Sequence, residues 1–118
     1  MPNQSVTLDR AFQALADPTR RAIVERLSAH PSSVSDLARP FSMSLPAVMQ
    51  HVAVLERAGL VYSEKIGRSR ICRIEPKALS LAEQWIHARR TEWEQRLDRL
   101  DDYLADLRKK EGDHDPYT

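Results

Sequence analysis

Residues 42–60, SMSLPAVMQHVAVLERAGL, decide the fold, because they follow the pattern of a helix with one buried and one free face. The apolar residues recur at helical spacing and are predicted to face a core: Leu45, Val48, Val52 and Leu55. The start of the helix carries small or polar side chains on or near the outward face: Ser44, Pro46, Ala47, Met49, Gln50 and His51. Such side chains let a helix approach base edges closely. The pattern is typical of the reading helix of a helix-turn-helix.

Breaks and capping residues divide the chain before this helix into three further helices. Asp17 is a natural N-cap, with Pro18 at the first helical position. Residues 1–6 are polar and are predicted to fray. The first predicted helix covers residues 8–16, and the second follows Asp17 and ends near His30-Pro31. The third covers residues 34–39 and is capped by Ser32 or Ser33. The reading helix is capped by Ser42 or Ser44 and ends at Ala58-Gly59.

Two β-rich runs follow the reading helix, at residues 60–66 and 71–74. The segment between them, Gly67-Arg68-Ser69-Arg70, contains the glycine of a turn, so the runs are predicted to pair as a hairpin. A hairpin that follows a helix-turn-helix is a wing. The fold class is therefore mainly α with a small β-hairpin: a winged helix-turn-helix with a long C-terminal dimerisation helix.

The long helix is predicted over residues 77–110, which contain no Pro or Gly and would extend about 50 Å. Its apolar stripe is Leu79, Ile86, Trp93, Leu97, Leu100, Leu104 and Leu107. The 4-3-4-3 spacing from Trp93 to Leu107 is a heptad seam, which Arg90 and Glu83 interrupt in the first half. A second copy is the expected partner of this seam; the alternative is that the helix folds back on its own domain. The predicted division is residues 1–76, 77–110 and a disordered tail, 111–118.

Composition places the chain among small intracellular proteins. A length of 118 residues fits one domain, or one domain with an arm. The single cysteine, Cys72, cannot pair within the chain, which favours a reducing compartment. No long apolar run is present, so neither a membrane span nor a signal peptide is expected and a cytoplasmic location is predicted.

The charge is unevenly distributed along the chain. Residues 18–73 hold nine basic and four acidic residues, whereas residues 74–118 hold eight basic and eleven acidic residues. A basic middle suits contact with phosphates through one face. The alternative is chance clustering on a solvated surface.

The order of these elements resembles the ArsR (arsenic-repressor-like) family of bacterial winged-helix repressors. The resemblance covers residues 8–107 and rests on FQALADPTRRAIVERL at 12–27, SLPAVMQHVAVLERAGLV at 44–61, GRSRICRIEP at 67–76 and RLDRLDDYL at 96–104. It implies a homodimer that binds a palindromic operator in double-stranded DNA at the nucleoid and blocks transcription. The implied dimer interface comprises Leu8, Phe12, Ile86, Trp93, Leu97, Leu100, Leu104 and Leu107. The implied DNA contacts are the outward residues of the reading helix and, on the wing, Lys65, Arg68 and Arg70.

Among these residues, Gln50 is the best candidate for base readout, because its amide presents a donor and an acceptor to adenine; the alternative is contact with phosphate or water. His51 is expected to meet a phosphate or to lie at the edge of the core. Met49 stands where the family usually has serine, so it either touches a thymine methyl group or belongs partly to the core.

Basic residues supply the other predicted DNA contacts. Arg68 and Arg70 are expected to enter the minor groove or to contact phosphates. Arg20 and Arg21 lie at a helix start, where backbone N–H groups also favour a phosphate. A purely structural role is the alternative for the wing arginines.

Neither a metal nor a cofactor is predicted. Metal-responsive members of the family usually carry paired cysteines on the third helix, where this chain has Ser33-Val34-Ser35-Asp36. Glu83 and His87, at i and i+4, offer only two ligands, which fall short of a closed site. Asp113-His114-Asp115 is a weaker candidate still.

No catalytic motif appears in the sequence, so an enzyme is not expected. Two functions remain open from the sequence. The first is a dimeric, sequence-specific repressor. The second is a winged-helix protein-interaction module that no longer reads DNA, suggested by the acidic, leucine-rich C-terminal arm and by Met49.

Overall fold

The computed structural model describes residues 4–113 and divides the chain into two compact units, residues 1–83 and 84–118. The elements in chain order are α1 (Gln4–Leu15), α2 (Pro18–Ala29), β1 (Ser32–Ser33), α3 (Val34–Ala38), α4 (Leu45–Arg57), β2 (Val61–Ile66), β3 (Ser69–Ile74) and α5 (Pro76–Asp113). This mostly helical architecture with a small sheet confirms the predicted fold class. Helix α1 begins at Gln4, so the prediction that the chain frays through residue 6 is wrong.

Polar N-cap residues determine where α2, α3 and α4 begin. The Asp17 carboxylate accepts the backbone N–H of Arg20 at 2.9 Å, as the Asp17-Pro18 signal predicts. The Ser33 hydroxyl accepts the N–H of Asp36 at 3.1 Å, and the Ser44 hydroxyl accepts that of Ala47 at 3.3 Å. Each cap pairs an N–H group that has no partner within its own helix. Ser33 and Ser44 are therefore the caps of α3 and α4.

A glycine ends α4 and turns the chain into the sheet. Gly59 has φ +75°, and its N–H donates to the Glu56 carbonyl at 3.0 Å. The N–H of Leu60 donates to the Leu55 carbonyl, also at 3.0 Å. This pair of bonds is the Schellman arrangement, which favours glycine because a side chain is strained at positive φ.

The sheet has three antiparallel strands in the order β1-β3-β2, one more than the predicted hairpin. Gly67, at φ +63°, and Arg68 alone form the hairpin turn, so Ser69 and Arg70 belong to β3 and not to a loop. Positive φ at only the first turn residue matches a type II′ turn. Strand β1 has just two serines, which gave no β signal; pairing of Ser32–Ser33 with β3 creates it.

The core lies where α2, α3 and α4 meet the sheet. Its largest fully buried side chains are Ile23, Leu37, Val48, Leu55, Leu60 and Cys72. The prediction that Leu45 faces the core is wrong, since 43% of this residue is exposed. Leu45 is the first residue of α4. Met43, two residues earlier in the chain, packs against the core.

Cys72 is fully buried in β3. Burial raises the pKa of its thiol, the charge of Glu56 raises it further, and Arg70 lowers it in part. Since the thiolate is the reactive form, we expect iodoacetamide to label native Cys72 roughly a hundredfold or more slowly than the protein unfolded in urea. Mass spectrometry follows the labelling. Equal rates in the two states would contradict the burial of Cys72.

Helix α5 joins the fold through its first turns. Ala78 and Ala82 are buried, and Leu79 packs against the core. The helix continues through residues 111–113, which the sequence predicts to be a disordered tail, whereas residues 114–118 lie outside the described range. The division between a DNA-binding domain and a dimerisation helix stays a prediction.

Within the second unit, the apolar stripe of α5 is exposed. Exposed fractions run from 38% to 62% for Ile86, Trp93, Leu97, Leu100, Leu104 and Leu107. Polar contacts on this helix are local: Arg89 pairs with Glu92 at 3.0 Å and lies over the Trp85 ring at 5.3 Å. In α1, Leu8 is half-buried and Phe12 is exposed.

Candidate nucleic-acid interface

The exposed side of α4 forms what we call the reading surface: Ser44, Leu45, Pro46, Met49 and Gln50. All five residues are exposed, and Met49 is exposed to 51%. Ala47 is half-buried beside them. The buried side of the same helix, at Val48, Val52 and Leu55, fixes α4 on the core. The structure thereby confirms that most of the predicted residues are outward, and it adds Leu45.

The reading surface carries two apolar side chains, Met49, which was predicted to face outward, and Leu45, whose exposure helical spacing alone missed. Leu45 and Met49 are four residues apart on α4 and therefore neighbours on one helical face. The available signal was the position of Leu45 directly after the Ser44 cap, one turn before the first buried residue, Val48. An apolar pair on an exposed helix face suits contact with methyl groups.

The wing places two basic side chains directly opposite each other. Lys65 on β2 pairs in register with Arg70 on β3. Strand alternation puts both on the face that carries the buried Val61 and Cys72. Like charges opposite each other destabilise a hairpin. An anion such as a phosphate between these two side chains would remove that repulsion.

A chain of hydrogen bonds connects the wing to α4. The Arg70 guanidinium donates to the Ser63 hydroxyl at 2.9 Å, and this hydroxyl donates to the Glu56 carboxylate at 2.6 Å. Glu56 lies in the last turn of α4. Arg68, in the exposed turn, has no such restraint from any described residue. The wing therefore combines one positioned arginine with one that is free to reach outward.

Arg20 and Arg21 make contacts that the sequence analysis missed. Arg20 donates from Nε to the Ala14 carbonyl at 2.6 Å and from Nη2 to the Gln13 carbonyl at 3.2 Å. Arg21 donates to the Leu15 carbonyl at 2.8 Å. These carbonyls end α1 and lack partners within that helix. Both arginines thus stabilise the end of α1, and their predicted contact with phosphate stays a prediction.

His51 lies at the edge of the core, which is one of the two locations expected for it. Its side chain is 21% exposed, and Nδ1 is 3.8 Å from the Asp17 carboxylate. The same nitrogen is 3.4 Å from Nη1 of Arg20. His51 therefore connects α4 to the start of α2, and it does not belong to the reading surface.

Asp17 makes the stability of the contact between α4 and the start of α2 dependent on pH. The backbone N–H of Arg20 lowers the pKa of Asp17 most; burial opposes this, and the charges of His51 and Arg20 lower it further. Because its pKa is lowered on folding, Asp17 stabilises the fold above its unfolded value of 3.8. That stabilisation is lost as the pH falls through the lower, folded value.

We therefore expect Asp17→Asn, which keeps a capping oxygen, to be less stable than the wild type at pH 7. The difference in free energy of unfolding should shrink as the pH falls below 3.8. Urea titrations at several pH values measure it, with Asp98→Asn on α5 as the control. A difference that stays constant down to pH 2 would exclude the charge of Asp17 as its source.

The candidate metal ligands named from the sequence are Glu83, His87 and the segment Asp113-His114-Asp115. Within the described residues, no three His, Cys, Asp or Glu side chains form a group that could hold a metal ion. Nδ1 of His87 lies 3.4 Å from Nη2 of Arg90. Asp113-His114-Asp115 falls at or beyond the end of the described range.

No described helix has the length and apolar character that crossing a bilayer requires.

Comparison with known proteins gives consistent matches. A helix-turn-helix domain model matches residues 15–64. The HTH-type transcriptional regulator Rv2034 of Mycobacterium tuberculosis is 51% identical over 72 residues, which cover 61% of this chain and 67% of that protein. The transcriptional repressor SdpR of Bacillus subtilis is 30% identical over 61 residues, 52% of this chain and 68% of that protein.

A solved structure extends the match to most of the fold. The crystal structure of the ArsR family transcriptional regulator RHA00566 aligns with a TM-score of 0.73 at 45% identity. The alignment covers 80% of this chain and 97% of that one. The fold, with its reading surface and basic wing, defines a winged helix-turn-helix protein. With these relatives, the chain belongs to the ArsR family of transcriptional regulators.

Proposed function

We propose that this protein is a homodimeric repressor that binds a palindromic operator in double-stranded DNA in the cytoplasm, at the nucleoid. One observation carries the proposal: α4 leaves an exposed reading surface, and the wing that follows α4 carries the basic residues Lys65 and Arg70 opposite each other. Similarity to SdpR, a transcriptional repressor, supports repression as the outcome of binding.

The proposed contacts divide into base readout and phosphate contact. Gln50 reads a base edge, while Leu45 and Met49 contact thymine methyl groups. Lys65, Arg68 and Arg70 contact the backbone or enter the minor groove. The small side chains of Ser44, Pro46 and Ala47 allow α4 to approach the DNA closely. His51 positions α4 on the start of α2. Arg20 and Arg21 lie at that start of α2, which is proposed to face a DNA phosphate.

Dimerisation is proposed through the seam of α5. Its exposed leucines make a row on one side of the helix, and such a surface is buried in a stable protein. A second copy supplies the same heptad pattern, so the seam is self-complementary. Leu8 and Phe12 on α1 are proposed as a second part of the interface. Two copies then present two reading surfaces to two half-sites.

Selection from a random duplex pool tests the proposal. The purified protein is expected to enrich an inverted repeat whose half-sites are about one helical turn, or a simple multiple, apart. Affinity for the enriched duplex should fall steeply with salt, by roughly a thousandfold between 50 and 200 mM. Equal affinity for every duplex at physiological salt would rule out sequence-specific repression.

The wing is expected to contribute affinity without sequence preference. Arg68→Ala should weaken binding to the enriched operator and to unrelated DNA by similar factors and reduce the salt slope by about 1, because a phosphate contact is lost. Arg39→Ala, a surface arginine outside the wing, is the control. Fluorescence anisotropy at several salt concentrations measures both. A loss confined to the operator would instead assign Arg68 to base readout.

The second candidate function is a protein-interaction module. The apolar pair Leu45 and Met49 favours it, as do Tyr62 and Ile66, which are exposed on the wing. Sedimentation separates the two candidates. A stable homodimer leaves little seam for a foreign partner, whereas a monomer that enriches no DNA sequence favours the module.

A further inference from the structure

A cleft lined by three arginines lies between α1, α2 and α4, apart from the reading surface and the wing. Its volume is about 530 Å³, which is in the range of small-molecule sites. The lining residues are Arg10, Gln13 and Ala14 of α1, Arg20 of α2, Val54 and Arg57 of α4, and Ala58 just after it. All of them belong to the first compact unit.

The charge of this cleft is not balanced from within. None of the described residues that line it is acidic. The side chains of Arg10 and Arg57 make no hydrogen bond or ion pair with any described residue. The charge of Arg20 acts on the Asp17 carboxylate at the start of α2, outside the lining of the cleft. Three guanidinium groups around one cavity repel one another unless an anion lies between them.

The three arginines differ in how firmly they are held. Arg20 is held by its bonds to the Ala14 and Gln13 carbonyls, and its Nη1 is also 3.4 Å from Nδ1 of His51. These three contacts leave two of its five N–H donors unused. Arg10 and Arg57 are free to turn toward a ligand. Ala14, Val54 and Ala58 add a small apolar lining, and the Gln13 amide adds a neutral polar group. This combination is typical of a site that orients a small organic molecule by its charged groups.

We propose that this cleft binds a small organic anion that carries two or three carboxylate or phosphate groups. Guanidinium groups bind such anions in bidentate fashion, and three of them match a ligand with more than one anionic group. The assignment does not depend on DNA binding, because none of the lining residues except Arg20 is among the proposed DNA contacts. The cleft lies between α4 and the helices α1 and α2. Its ligand would therefore contact α4, the reading helix, near the C-terminal end of that helix.

Titration calorimetry on the full-length protein tests the site, with citrate and pyrophosphate as separate probes. We expect saturable binding of one probe per chain. Arg10→Gln with Arg57→Gln should weaken it about tenfold or more, because two charge-assisted contacts are lost. The control is Arg39→Gln with Arg96→Gln, which removes the same charge from exposed positions outside the cleft and should stay within about twofold of the wild type. Citrate and pyrophosphate distinguish a carboxylate from a phosphate ligand.

A second variant and a second measurement keep the test decisive. Arg10→Lys with Arg57→Lys keeps the charge but not the bidentate geometry, and it should bind with intermediate affinity. Amide chemical shifts of Ala14 and Ala58 in the wild type should move on titration. The proposal is overturned if neither probe binds at millimolar concentration, or if the cleft and control variants weaken binding equally. It is also overturned if the cleft variant loses affinity for DNA but not for the probe, since the cleft then contacts a DNA phosphate.

Discussion

Leu97→Glu together with Leu104→Glu is expected to convert a dimer into a monomer and to lower operator affinity by about a thousandfold or more. Each leucine is exposed in the single chain, and we propose that both are buried against a second copy. Burial of one leucine contributes about 1.5–3 kcal/mol, and four such side chains meet per dimer. Glutamates in the seam would also bring four negative charges into the proposed interface, so desolvation and repulsion add to the lost burial. Loss of the second half-site removes a further factor of about 10²–10⁴.

A matched control separates charge from position. Gln95→Glu with Ala105→Glu adds the same charge to α5 at exposed residues outside the heptad seam. This variant is expected to remain dimeric and to keep its operator affinity within about threefold, because exposed charges contribute little. Analytical ultracentrifugation and anisotropy measure the two properties. A seam variant that still sediments as a dimer would place the interface elsewhere, for example at Leu8 and Phe12 on α1.

The sequence predicted those elements whose signals are local. Asp17-Pro18 marked the start of α2, Ser42 or Ser44 the start of α4, and Gly59 its end, because each residue type meets a backbone requirement of its own position. The structure selects Ser44 as the cap of α4. The hairpin followed from a glycine between two β-rich runs. These features need no knowledge of what packs against them.

Several of the missed features depend on residues in other elements of the fold. Strand β1 exists only because β3 lies beside Ser32 and Ser33. Arg20 looked like a free cation, but the carbonyls that it contacts belong to the preceding helix. The exposure of Leu45 follows from where the core ends along α4, which helical periodicity does not specify. The same limit applies to the arginine cleft, whose three cations come from three helices.

Gln50→Ala is expected to remove the preference for one base pair in each half-site, where the wild type should favour adenine by about 5- to 150-fold. The amide of Gln50 is exposed on the reading surface and offers both a donor and an acceptor, which adenine matches in the major groove. A bidentate contact of this kind contributes about 1–3 kcal/mol of discrimination. The alanine variant should keep its salt slope, because no phosphate contact is lost. Anisotropy on operators with single base-pair changes measures the preference.

Met49→Ala gives the matched comparison, because Met49 precedes Gln50 on the same surface but offers no hydrogen bond. Its proposed contact is a thymine methyl group, so replacing one thymine of the operator by deoxyuridine should weaken the wild type and leave Met49→Ala unaffected. Gln50→Ala should respond to the same replacement as the wild type does, since its lost contact is to adenine. If Gln50→Ala instead weakens all duplexes equally and lowers the salt slope, Gln50 contacts the backbone. Base preference would then rest on the apolar pair Leu45 and Met49, and the operator should be recognised mainly through its thymines.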